Sequence, residues 1–319
     1  MKERNQSIDI LRFFAVIAIT NSHMDMLYGN FSIFATGGAI GDALFFFCSG
    51  YTLFLGRKSD FGNWYKRRIN RIYPTVFSFW IIASLFFDQQ NDMWTIVTRG
   101  GGWFVTCIMM YYVAIWFIGR YWINHLKLVF GMVSAVVVIW YLTMDSSTIF
   151  MYHGTYLKWL FFFLFMLIGA MFGSASMCLK FRLATDLIKL LCCTVVFYGI
   201  QIAGQMRPAL AHFQLVSLVP LFFVVFYFYK VCCSESVLKI YNIVPVKRCV
   251  FFVSMLCLEV YLIQPTLLPY GTFLPFPLGI PVMFVVIIAS AYCLKVLSNV
   301  FSQTFKDADY EWRKTLIVN

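Results

Sequence analysis

The feature that most constrains this chain is a succession of apolar runs, each near the length of a membrane-crossing helix and separated by short polar breaks. A hydrocarbon core of about 30 Å takes roughly 20 apolar residues as a helix, and all backbone polar groups within it must be satisfied inside the segment. The fold class that follows is all-α: a polytopic integral membrane protein. Composition agrees, since of 319 residues 61% are hydrophobic, 20% aromatic and only 12% charged. No soluble globular domain requires so much apolar surface.

Ten transmembrane helices are predicted, at about 8–28, 37–56, 72–88, 103–119, 128–145, 157–175, 183–204, 212–230, 250–268 and 277–300. With a cytoplasmic amino terminus, nineteen of the 25 Lys and Arg residues fall in inside segments, three in outside segments (Arg99, Lys158 and Arg207) and three within spans. This asymmetry sets the orientation and places both termini in the cytoplasm. Residues 1–319 are expected to form a single membrane-embedded domain, a helical bundle to about residue 301 with a cytoplasmic tail over 302–319. Met1–Ser7, with Lys2 and Arg4, shows no small-residue cleavage pattern, so the first run is expected to remain as an anchor. The net charge of +11 does not imply nucleic acid, because the basic residues are not gathered on one amphipathic surface. Of the ten cysteines none shows Cys-x-x-Cys spacing, so buried thiols, and no metal, are expected. No internal repeat of fixed period is visible, which weakens a reading as an inverted-repeat transporter.

Charge inside apolar runs is where chemistry is sought. An ionised group at the bilayer centre costs about 2.5–3.5 kcal/mol on the mildest scale, and Arg12, Asp42, Glu259 and Lys295 all fall in or near predicted spans. They face partners, water or ligand; pairing between helices, or for Arg12 and Lys295 snorkelling, is the plain structural account, and for Lys295 it is preferred. Arg12 and His23 are eleven residues apart, which on a continuous helix returns to within about 20° of the same face at roughly 16 Å of rise. A neutral imidazole in a low-dielectric cavity is suited to act as a base, although a histidine bridging helices needs no catalytic duty. His125, His153 and His212 fall in predicted loops or at helix ends. On the cytoplasmic side, before the third predicted helix, Trp64-Tyr65-Lys66-Arg67-Arg68-Ile69-Asn70-Arg71-Ile72-Tyr73-Pro74 sets Arg68 and Arg71 three apart, able to grip phosphate with planar forks or simply to mark the inside face. Trp103, after Gly100-Gly101-Gly102, either contacts substrate or anchors the outer interface.

Four segments resemble the membrane-bound acyltransferases of acyltransferase family 3, many of which O-acetylate bacterial surface glycans. Ile8-Asp9-Ile10-Leu11-Arg12 with His23 is similar to the family's Arg-x10-His pattern, and Gly41-Asp42-Ala43-Leu44-Phe45-Phe46-Phe47-Cys48-Ser49-Gly50-Tyr51 resembles its second-helix segment. Lys66 to Pro74 resembles its Arg-x-x-Arg segment ending in Tyr-Pro, and Glu259-Val260-Tyr261-Leu262-Ile263-Gln264-Pro265 its Tyr-Leu-Ile-His-type motif. The four occur in family order between residues 8 and 265.

The resemblance implies an O-acetyltransferase of the bacterial plasma (inner) membrane, with acetyl-CoA as acyl donor and co-substrate, no metal, and a surface glycan or lipid-linked sugar as acceptor. It implies that Arg12 and His23 are the essential pair and that Arg68 and Arg71 help hold the donor; Lys66 and Arg67 are expected to add diffuse attraction, and Glu259 either orients Arg12 or His23 or makes an interhelical hydrogen bond. Asp42, Tyr51, Trp103, Tyr261 and Gln264 are the expected substrate contacts. Gln264 stands where many relatives carry histidine, so no titrating duty can be performed there. No extracytoplasmic domain is expected after the tenth span, so onward transfer would be expected to fall to a glycan-assembly partner or to none. A transporter or flippase of lipid-linked sugars, using the same interior charges to move cargo, and a non-catalytic scaffold are the rival classes.

Overall fold

A computed structural model describes residues 5–53, 59–144, 151–152, 155–174, 181–306 and 309–317. The predicted inside residues Lys2, Arg4, Arg57, Lys58 and Lys180, and His153, lie outside the described residues. Along the chain run α1 (Gln6–Ser22), α2 (Asp25–Tyr28), α3 (Gly38–Leu53), α4 (Phe61–Phe86), α5 (Met93–Arg99), α6 (Gly102–Tyr121), α7 (Leu126–Thr143) and α8 (Leu157–Ser174). They are followed by α9 (Leu183–Met206), α10 (Leu218–Cys232), α11 (Glu235–Tyr241), α12 (Val244–Met255), α13 (Cys257–Leu267), α14 (Gly279–Thr304) and α15 (Trp312–Thr315), and among the described residues there is no strand.

Among the described residues seven helical segments are long and apolar enough to cross a membrane, and an eighth if the bent pair Gln6–Ser22 and Asp25–Phe34 is one span. These correspond to eight of the ten predicted spans. The second, α3, has sixteen described residues and ends at the undescribed segment 54–58. The ninth is divided into α12 and α13 at Leu256, where the helix overwinds: the Leu256 N–H bonds the Val253 carbonyl, three residues back. Ser254 Oγ, bonded to the Phe251 carbonyl at 2.8 Å, competes for backbone partners in the same turn.

The chain divides into two compact units interleaved in sequence. The first comprises residues 1–15, 39–56 and 118–250, the second 16–38, 57–117 and 251–319. The core of the first is phenylalanine-rich: Phe46, Phe47, Phe161, Phe162 and Phe165 are fully buried, and rings such as Phe161 and Phe162 meet at 4.7 Å. Here α3 and α8 approach backbone to backbone. A Cβ on Gly50 would fall 1.9 Å from the Met166 carbonyl oxygen, and one on Gly169 would fall 2.0 Å from that of Phe47, the close contact that small residues permit between membrane helices. Polar groups in this unit are tied: Lys230 pairs with Asp186 at 2.7 Å, and Gln201 Nε2 donates to Ser217 Oγ at 2.6 Å.

In the second unit α4 is the organising element. Asp60 caps it, accepting from the Asn63 backbone N–H at 3.0 Å and from Asn63 Nδ2 at 2.8 Å. The helix therefore starts at Phe61 and not near residue 72, and the basic segment forms its first turns. Pro74, which reads as a helix boundary because proline disfavours helix in the residue before it, lies in the interior. The segment after α14, expected as a tail, folds back on that helix: Asn299 Nδ2 donates to the Thr315 carbonyl at 2.9 Å, and the Tyr292 hydroxyl to that of Leu316 at 3.1 Å.

Candidate functional site

The first predicted span does not continue to residue 28. At its end the N–H groups of His23 and Met24 bond the carbonyls of Thr20 and Asn21, three residues back, and a bend of 67° separates Gln6–Ser22 from Asp25–Phe34. The cause is Asn21, whose Nδ2 donates to the carbonyls of Phe34 and Thr36 at 2.8 and 2.9 Å while its Oδ1 accepts from the Tyr28 hydroxyl at 2.6 Å. His23 therefore stands exposed just beyond α1, and the eleven-residue face argument, which needs a continuous helix, does not extend to it.

In the first unit Arg12 is half-buried and donates from Nη2 to Thr52 Oγ1 at 3.2 Å. Tyr51, the next residue back on α3, accepts from Asn5 Nδ2 at 2.8 Å and packs on Tyr229. Asp42, also half-buried, lies within the field of Lys158. Asp9 is buried and accepts from the Tyr241 hydroxyl at 3.5 Å. Sequence reasoning assigned it no role, although an aspartate in the first turn of an apolar helix was the available signal.

In the second unit α4 and α6 run side by side. Trp116 Nε1 donates to the Ser59 carbonyl at 3.2 Å, Tyr112 meets Trp64, and the Tyr73 hydroxyl donates to the Val97 carbonyl at 3.0 Å. Trp80 Nε1 donates to the Gly100 carbonyl at 2.8 Å, so the later half of α4 lies beside the start of α6. Gly102 begins it with φ +64, a conformation glycine adopts without steric cost, and the Phe104 N–H donates to the Tyr261 hydroxyl at 3.4 Å. A Cβ on Gly102 would lie 2.8 Å from that hydroxyl. Trp103 is half-buried, edge-on to Phe104.

Glu259 is buried and paired with Lys295 at 3.0 Å. It also accepts from Thr75 Oγ1 at 3.3 Å, and Thr75 Oγ1 lies 2.9 Å from Ser298 Oγ. Lys295 and Thr75 satisfy the carboxylate, and with Ser298 bonded to Thr75 they join α4, α13 and α14. Thr75 and Ser298 were invisible to sequence reasoning, as hydroxyls in apolar runs carry no distinguishing mark.

Of the basic segment, Lys66, Arg67 and Arg71 are exposed and Arg68 is half-buried. Arg67 donates to Ser59 Oγ at 2.6 Å. The Arg68 guanidinium lies 4.8 Å from the Trp64 ring centre and 5.6 Å from that of Tyr112, and its Nε is buried with no acceptor. The other buried side-chain polar atoms without a partner, among the described residues, are Thr20 Oγ1 and both Oε1 and Nε2 of Gln264. All belong to the second unit. Among the described residues no group of three or more His, Cys, Asp or Glu side chains is arranged to hold a metal.

These helices define a multi-pass membrane protein with buried polar groups inside its helical units. The Acyltransferase domain model of acyltransferase family 3 matches residues 5–299. The chain belongs to that family, and it is a membrane acyltransferase. No curated protein and no solved structure matched it.

Proposed function

We propose that this acyltransferase moves an acetyl or other short acyl group from acyl-CoA to a hydroxyl of a surface glycan or lipid-linked sugar, in a bacterial plasma membrane with the donor on the cytosolic side. The observation that carries the reading is Arg68. A guanidinium laid on two aromatic rings, with a buried N–H lacking an acceptor, is prepared for an anion with several oxygens, and the phosphates of CoA supply them. Arg71 adds a second fork, and Lys66 and Arg67 add attraction from the exposed face.

His23 withdraws the proton of the acceptor hydroxyl as its oxygen attacks the thioester carbonyl. The new C–O bond forms, the C–S bond breaks, and the CoA thiolate leaves and is reprotonated. General-base help of this kind is worth about 10²–10⁴-fold. Arg12 offsets negative charge developing on the carbonyl oxygen. Asp42, Tyr51, Trp103, Tyr261 and Gln264 contact substrate, and Glu259 acts as a positioning residue, holding α13 through Lys295 and Thr75. A glycan-assembly protein is the natural recipient of any onward transfer.

The test is full-length protein in nanodiscs given acetyl-CoA labelled in the acetyl group, with acceptor glycans read by mass spectrometry. Labelled acetyl esters are expected with the wild type and absent with a His23→Ala variant that inserts normally. Unchanged ester content in that variant overturns the assignment of the base, and a wild type that neither binds nor consumes acetyl-CoA overturns the reading.

A further inference from the structure

Gln264 is fully buried in α13, and neither oxygen nor nitrogen of its carboxamide has a hydrogen-bond partner. Its chain neighbours Leu262, Ile263 and Leu268 are buried and apolar. An unpaired amide in such a place is costly, and native proteins keep one where something else satisfies it. Three residues earlier, on the same face of α13, Tyr261 touches the start of α6, where Gly102 is exposed. An exposed backbone position therefore lies beside Tyr261, one helical turn from the orphaned group.

What the carboxamide requires is a donor for Oε1 and an acceptor for Nε2 at the spacing of its own two atoms. A secondary amide provides both in one planar group, whereas a carboxylate provides acceptors only. Distance agrees. Glu259 is level with Thr75 through their hydrogen bond, Thr75 is seven residues beyond Arg68 on α4, and Gln264 is five beyond Glu259 on α13. At helical rise these steps total roughly 15–20 Å, of the order of an extended pantetheine arm, which carries two secondary amides.

We propose that Gln264 binds a secondary amide of the bound substrate, its Oε1 accepting from the amide N–H and its Nε2 donating to the amide carbonyl, and that the pantetheine arm supplies this amide. The inference rests on the acyl-CoA reading. An N-acetylated sugar acceptor carries the same chemical group, so both sources enter the test.

Binding is measured by thermal protection of the full chain in nanodiscs, since a ligand selective for the folded state raises the melting temperature. Gln264→Met, near in volume and without hydrogen-bonding capacity, is expected to weaken acetyl-CoA about tenfold, as loss of two neutral hydrogen bonds implies. The wild type is expected to prefer S-acetylpantetheine over an amide-free thioester of equal length, and the variant to show no such preference. A variant that instead loses only a preference for N-acetylglucosamine over glucose keeps the amide site but overturns the pantetheine as its source. Equal acetyl-CoA affinity in both proteins, with sugar preference also unchanged, overturns the role of Gln264 and leaves the donor reading standing. No protection of the wild type by acetyl-CoA defeats the donor reading itself. Should Gln264→Met fail to fold, the wild-type comparison of the two thioesters decides, and the absence of preference overturns the assignment to the donor.

Discussion

Glu259 brings a carboxylate into the interior of its unit, and the groups that meet it separate a structural duty from a chemical one. Breaking a buried ion pair by removing one partner strands the other charge, at about 3–5 kcal/mol. Lys295→Met is therefore expected to lower stability by about 3 kcal/mol, its side chain being 18% exposed, and Glu259→Gln in the same chain to recover most of the loss. Denaturation of single and double variants checks this, and acetyl transfer by the folded double variant tells whether Glu259 acts only by pairing. Gly102 makes a second case. Gly102→Ala forces a side chain into a left-handed conformation, costing roughly 1–2 kcal/mol, and into the Tyr261 hydroxyl. Partial recovery by Tyr261→Phe, measured as melting temperature, is expected, since it removes the clash while leaving the backbone strain.

Two elements depend on local devices that can be tested apart from any reaction. The Asp60 carboxyl is held below the usual carboxylate range by hydrogen bonds from the Asn63 backbone N–H and then its side chain. A depressed folded-state pKa means that its contribution is present above the unfolded value of about 4 and is lost as pH falls through the folded value. Amide hydrogen exchange at Asn63 and Trp64 is expected to quicken at low pH, or in Asp60→Ala at neutral pH, with the middle of α4 unchanged. In the first unit Gly169→Val would drive side-chain atoms into the Phe47 carbonyl and part α3 from α8, and loss of the folded protein from detergent extracts is the expected result.

Elements such as α9 and α14 were legible because their apolar runs are long and uninterrupted. The end of α1 was not, since the bend depends on an Asn21 side chain reaching carbonyls thirteen and fifteen residues away, and no local pattern announces that. The start of α4 was missed because the apolar run begins only near Ile72, while the polar turns before it are held in the helix by the Asp60 cap. Glu259 was recognisable as a charge inside an apolar run and Arg68 by its spacing from Arg71, whereas what they meet, a lysine with a threonine and two aromatic rings, is a product of packing.

At the scale of the whole molecule, the asymmetry of basic residues makes orientation testable. A single cysteine placed near residue 90, in a chain whose native thiols are replaced, is expected to react with a membrane-impermeant reagent from outside intact cells, and one near residue 310 only after the membrane is opened. The interleaving of the two units in sequence has a consequence for biosynthesis. Residues 16–38 and 57–117 share a unit with 251–319, so at about 5–20 residues per second they wait on the order of ten to forty seconds for their partners to leave the ribosome. During that interval Glu259 and Lys295 do not yet exist to receive Thr75, and a half-made protein with open polar faces in the bilayer is the form in which insertion chaperones and membrane proteases would meet it.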